Sequence, residues 1–115
     1  MRRVLLEVCI DSAQGLSAAI EGGADRIELC SALPLGGLTP SPGFMAFAAR
    51  APIPSYAMIR PRAGNFVFSQ AEIDIMRGDI DAARAAGLAG VVLGANLESG
   101  ALDEAGLWRL KEHAA

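Results

Sequence analysis

Four short apolar runs punctuate the chain: VLLEVCI at 4–10, RIELC at 26–30, SYAMIR at 55–60 and GVVLG at 90–94. Their length and composition suit strands. Between them, apolar positions recur at helical spacing. From Ser12 to about Gly22, the residues Leu16, Ala19 and Ile20 share one side, and Gly22-Gly23 supplies a stop. A second helix is predicted from Ser41-Pro42, a capping residue followed by one suited to the first helical position, with Phe44, Phe47 and Ala48 buried. Ser69 and Glu72 stand in capping-box register ahead of a stripe of Ile73, Met76, Ile80 and Ala83. A fourth helix is predicted from near Asp103, carrying Leu107 and Leu110.

Strand followed by helix, four times over, predicts an α/β fold with parallel strands and crossover helices. No shift in composition marks a linker, so residues 1–115 read as a single domain. Four such units make either a small open doubly wound sheet or one half of an eight-stranded barrel. A parallel strand buried on both faces is apolar at every position. These strands are not. Alternation puts Val4, Leu6, Val8 and Ile10 on one face of the first strand, and Leu5, Glu7 and Cys9 on the other. Ile27 and Leu29 oppose Arg26, Glu28 and Cys30, and Ala57 and Ile59 oppose Tyr56, Met58 and Arg60. The fourth strand offers Val92, Gly94 and, just beyond, Asn96. Ionisable and sulfur groups crowded toward the C-terminal ends, behind an apolar row, are the pattern of a (β/α) TIM-barrel type with its active face at that rim. Arg60 is expected to point into the mouth, with Arg62 following in the same direction.

A content of 52% hydrophobic and 20% charged residues is enough for a packed core. The net charge of −3, with no run of Lys or Arg, argues against nucleic acid as a partner. MRRVLL could open a secretory signal, but Glu7 interrupts the apolar stretch and no small-residue cleavage site follows. No apolar segment reaches bilayer length, so no membrane association and a cytoplasmic location are expected. In such a reducing compartment Cys9 and Cys30 read as free thiols.

Six blocks carry a resemblance: LLEVCIDS (5–12), GGADRIELC (22–30), GGLTPSPG (36–43), MIRPRAGNF (58–66), FSQAEIDIM (68–76) and GVVLGA (90–95). In this order and at these intervals, the chain resembles the N-terminal half of the CutC family of copper homeostasis proteins. The resemblance implies a cytoplasmic (β/α)8 barrel of about twice this length, of which the chain supplies four βα units. The closing strands, and a later histidine-arginine segment, are expected outside it.

The same resemblance makes Cys9 and Cys30 candidate ligands for Cu(I), a soft ion suited to sulfur donors, with Met58 on the same face. Their spacing reads as well as two buried core thiols. A second constellation joins Glu7, Glu28, Arg60 and Arg62. It reads either as a site for a small anionic molecule or as an internal ion-pair network. In the first reading Glu28 and Arg60 are the catalytic groups, while Glu7, Arg62, Thr39 and Ser41 bind a phosphate or carboxylate. Arg26 enters near the opposite end of its strand and is expected to pair structurally. Asp25 reads as a supporting or capping group, and His113 as a helix-end residue. Trp108 and the phenylalanines are expected in the core. Copper handling and a barrel enzyme acting on a small anion are thus the two functional classes. A half barrel also leaves two sheet edges unpaired, from which self-association into a homo-oligomer is expected.

Overall fold

A computed structural model describes residues 3–115. The elements alternate as β1 (Glu7–Ile10), α1 (Ala13–Glu21), β2 (Arg26–Leu29), α2 (Pro42–Ala49), β3 (Ser55–Ile59), α3 (Gln70–Ala86), β4 (Gly90–Leu93) and α4 (Glu104–Ala114). A 3-10 turn at Leu33–Leu35, absent from the sequence expectation, follows β2. The strands pair in chain order β1-β2-β3-β4, and every pair is parallel. Each helix packs against the next, α1 on α2, α2 on α3 and α3 on α4, so all four lie along one face of the sheet. A doubly wound sheet would divide them between two faces. The architecture is an arc of TIM-barrel type, open on its inner side.

Strand parity explains the arc. Ile27, Leu29, Ala57 and Ile59 are fully buried against Met45, Ala48, Met76, Ile80, Ala83 and Leu110 from the helices. On the opposite face Arg26, Glu28, Tyr56 and Met58 are half-buried, and Glu7 and Cys9 are exposed. The radius of gyration is 14.4 Å, against about 13 Å for a compact chain of this length. Helix starts follow the sequence: Ser12, Ser41 and Asp103 each accept an amide N–H of the first turn, and Ser69 and Glu72 close a reciprocal capping box. No described helix is long and apolar enough to cross a membrane.

Three expectations are corrected. The first strand begins at Glu7 instead of Val4, leaving Val4 and Leu6 88% and 49% exposed, because no strand or helix among the described residues covers that edge. In α2 the buried positions are Met45 and Ala48, one turn apart, with Phe44 packed beside them; Phe47 turns outward beneath the Arg50 guanidinium. Trp108 also lies outside the core, 58% exposed under the Lys111 ammonium, while Leu110 takes the buried position in α4.

Candidate functional site

The inner face is built row by row. Register pairs Cys9 with Glu28, Glu28 with Tyr56 and Tyr56 with Gly90, which places these four residues in one line across the sheet. Gly90 is required there, because a Cβ would come within 2.8 Å of the Tyr56 ring. One step toward the C-terminal ends, Met58 faces Val92, and by the same alternation Cys30 is its neighbour on β2. One step the other way, Glu7 pairs with Arg26, whose guanidinium lies 5.6 Å from the centre of the Tyr56 ring.

Within this lattice the Cys9 thiol donates to Glu28 Oε2 at 3.4 Å, and the Cys30 thiol approaches the Glu28 carbonyl at 3.8 Å. Cys9 thus reaches the Glu28 carboxyl from the neighbouring strand, while Cys30 touches the backbone carbonyl of Glu28 on its own strand. Cys9 is exposed, whereas Cys30 is buried below the β2–α2 loop, with Gly37 packed against its Sγ. A diagonal pair on neighbouring strands stands about 7–8 Å apart at Cα, too far for a relaxed disulfide. Both cysteines are accordingly free. Desolvation is the first cause that pushes the Cys9 thiol above its usual range, with the Glu28 hydrogen bond and charge adding to it. Desolvation pushes the Cys30 thiol up to about 12, helped by Glu28, Cys9 and Asp11. Glu28 is itself raised, first by desolvation; the Cys9 bond acts in the opposite sense and Glu7 adds to the rise. The two thiols hold their protons, and beside them Glu7 Oε2 accepts from Arg26 Nε at 2.5 Å.

The two arginines of MIRPRAGNF occupy other places. Arg60 is buried, and its guanidinium donates to the carbonyls of Leu35, Gly37 and Gly64 at 3.0, 3.3 and 2.8 Å while lying 4.8 Å over Phe66. It ties the loop after β2 to the loop after β3. Its backbone is held by Thr39, whose hydroxyl bonds to both the N–H and the carbonyl of Arg60. Gly36 sits so close that a Cβ would meet Arg60 Nη1 at 2.8 Å, and its φ of +94° belongs to glycine. Arg62 Nε donates to Glu72 at 2.5 Å and its other nitrogens to the Asn65 and Val67 carbonyls, with Phe68 beneath at 5.1 Å. Ser41 spends its hydroxyl on the Phe44 amide as the α2 cap.

The structure thus brings Glu7, Glu28, Cys9 and Cys30 together, while the guanidinia of Arg60 and Arg62 are engaged by loop carbonyls and Glu72. Phe66, Phe68 and Asp11 acquire roles that the sequence reading did not assign. The two phenylalanines sit six residues after the two arginines, a matched spacing that could have signalled the stacking. Asp11 accepts from the Leu33 amide and so fixes the 3-10 turn over Cys30. His113 packs its ring on Asp81 of α3 at 2.7 Å, away from this face. Among the described residues, no three His, Cys, Asp or Glu side chains gather as a metal-binding group.

Comparison with known proteins places the geometry. A family model described as the CutC family matches residues 4–115. The chain belongs to the CutC family. A family protein CutC of Rhizobium meliloti is 65% identical over 115 residues, covering 100% of this chain and 47% of its own length. One from Caulobacter vibrioides is 62% identical over 112 residues, covering 97% of this chain and 46% of its own. The solved CutC of Streptococcus agalactiae, described provisionally as a copper homeostasis protein, superposes with a TM-score of 0.91 at 32% identity, over 97% of this chain and 55% of that one. The chain thus spans about half the length of the CutC proteins that it matches, in their N-terminal part.

Proposed function

We propose that this chain is the first half of a CutC (β/α)8 barrel that handles Cu(I) in copper homeostasis, with Cys9 and Cys30 as the sulfur donors. The observation that carries the reading is that both thiols contact Glu28, Cys9 at its carboxyl and Cys30 at its backbone carbonyl. Thiolate and thioether sulfur select Cu(I) over harder ions, and half-buried Met58 supplies a third soft donor beside Cys30. The cluster favours protonated thiols, so loading must expel both of their protons. Free thiols suit a reducing compartment, so the reading places the protein in the cytoplasm. The alternative, an enzyme gripping a small anion through Arg60 and Arg62, would require those guanidinia to release the carbonyls and Glu72 that they now hold.

Anaerobic titration with Cu(I) against a chromogenic chelator tests the proposal. Cys9→Ser and Cys30→Ser are each expected to weaken binding at least about tenfold, a change of roughly 1.4 kcal/mol. With two thiols giving up protons, affinity should rise by up to about two orders of magnitude per pH unit between about pH 6 and pH 8. Unchanged binding in both variants removes the thiols from the account. A rise in melting temperature with inorganic phosphate, lost in Arg60→Lys, would favour the anion reading instead.

A further inference from the structure

Cys30 is 1% exposed, while Cys9 on the next strand is open to solvent. What lies over the buried thiol is the short segment Ala32–Gly37. Gly37 packs so closely there that a Cβ would come within 3.3 Å of Cys30 Sγ. Backbone bonds in both directions between Ser31 and Leu38, each 2.8 Å, close the neck of the segment and fix its two ends. Left-handed residues stand at both ends: Ala32 with a φ of 48°, Gly36 with 94° and Gly37 with 93°. A few such positions at the ends of a loop can absorb the backbone rotation of a hinge.

Between the hinges, the 3-10 turn Leu33–Leu35 buries none of its own side chains, and Leu35 is 55% exposed. A segment with so little apolar burial opens at small cost unless polar ties hold it. Among the described residues, the side chains that tie it from outside are Asp11 and Arg60. Asp11 accepts the Leu33 amide at 3.1 Å, and Arg60 Nη1 donates to the Leu35 and Gly37 carbonyls at 3.0 and 3.3 Å. The same guanidinium is anchored on Gly64 and Phe66 of the loop after β3. Its Nε is buried with no partner among the described residues, so closure leaves one donor unsatisfied that opening would return to water.

We propose that Ala32–Gly37 is a flap that gates Cys30, hinged at its left-handed residues and latched by Arg60. Opening lifts Gly37 from Sγ and admits water, which relieves the desolvation that keeps this thiol protonated and unreactive. Arg60 is therefore a positioning residue that acts on Cys30 through Gly37. The flap itself needs no metal. Its part in loading rests on the copper reading, in which an ion meets exposed Cys9 first and Cys30 only once the flap has opened.

Alkylation by iodoacetamide, followed peptide by peptide with mass spectrometry, reads both thiols without metal. Cys30 is expected to react at least about tenfold more slowly than Cys9. Its rate should hardly change in low urea, because opening so short a segment exposes little surface. Arg60→Lys loosens the latch by losing the fork, and Gly36→Ala does so by setting a Cβ 2.8 Å from Arg60 Nη1. Each is expected to speed Cys30 at least about tenfold while leaving Cys9 unchanged. Gly36→Ala carries the test should Arg60→Lys fail to fold. Equal rates at the two thiols of the native chain overturn the proposal. So does a Cys30 rate that neither variant alters, or one that rises with urea as steeply as global unfolding. In Cu(I) transfer from a chromogenic chelator, a slow phase is expected that Gly36→Ala speeds by the same factor as alkylation. Copper uptake indifferent to Gly36→Ala, alongside faster Cys30 alkylation, keeps the flap and removes Cys30 from the copper account.

Discussion

At the residue scale, the inner face is organised by what each charge already holds. Parity in the sequence identified the face that carries Glu7, Cys9, Glu28 and Met58, because side-chain alternation is a local property of any strand. It could not show that Arg60 spends its guanidinium on Leu35, Gly37 and Gly64, since backbone carbonyls leave no mark in a sequence. Arg60→Lys keeps the charge but loses the fork and the stacking on Phe66; it is expected to cost about 1.5–3 kcal/mol in urea denaturation. A cost below about 0.5 kcal/mol would show that the loops hold without it. Glu28 makes the opposite kind of prediction. Its folded-state pKa is raised, so the folded protein binds its proton more tightly than the unfolded chain does. Stability is therefore lost as pH rises from the ordinary carboxylate range through the raised value, and the penalty persists above it. Glu28→Gln cannot ionise, so its stability relative to the native chain is expected to improve as pH rises above the ordinary carboxylate range. Parallel pH profiles would contradict the desolvated carboxyl.

At the element scale, helix starts were readable because a cap is a contact among residues three apart in sequence. The Ser69–Glu72 box was visible in the sequence, but Glu72 does more: it also receives Arg62, so one carboxylate fixes both the start of α3 and the loop that leads into it. The Arg62 hydrogen bond is the first cause that holds Glu72 below the usual carboxylate range. What it contributes is present above that range and is lost as pH falls through its lowered value. Ser69→Ala removes the cap and is expected to cost about 1 kcal/mol, read from the urea midpoint at neutral pH. Helix faces were less legible where two apolar residues competed for one buried position. Met45 took the buried position expected of Phe47, and Leu110 took its expected one, while the large rings of Phe47 and Trp108 extend outward under a cation.

At the scale of the whole molecule, the open arc sets a gradient of protection. β2 and β3 have strand neighbours on both sides and fully buried apolar rows, whereas β1 has one neighbour and an exposed approach. Hydrogen exchange is expected to be slowest at the amides of Ile27, Leu29, Ala57 and Ile59 and faster in β1. Exchange in β1 as slow as in β2 and β3 would speak against this gradient. By itself the sequence determined the alternation of strand and helix, the caps, the chemistry of each strand face and the likeness to CutC, all of which follow from local spacing or ordered motifs. Only the tertiary structure decided that the Cys9 thiol reaches the Glu28 carboxyl and that the arginines clamp loops through backbone carbonyls. Those outcomes depend on strand register and on backbone acceptors contributed from distant segments, and neither is written in the local pattern of residues.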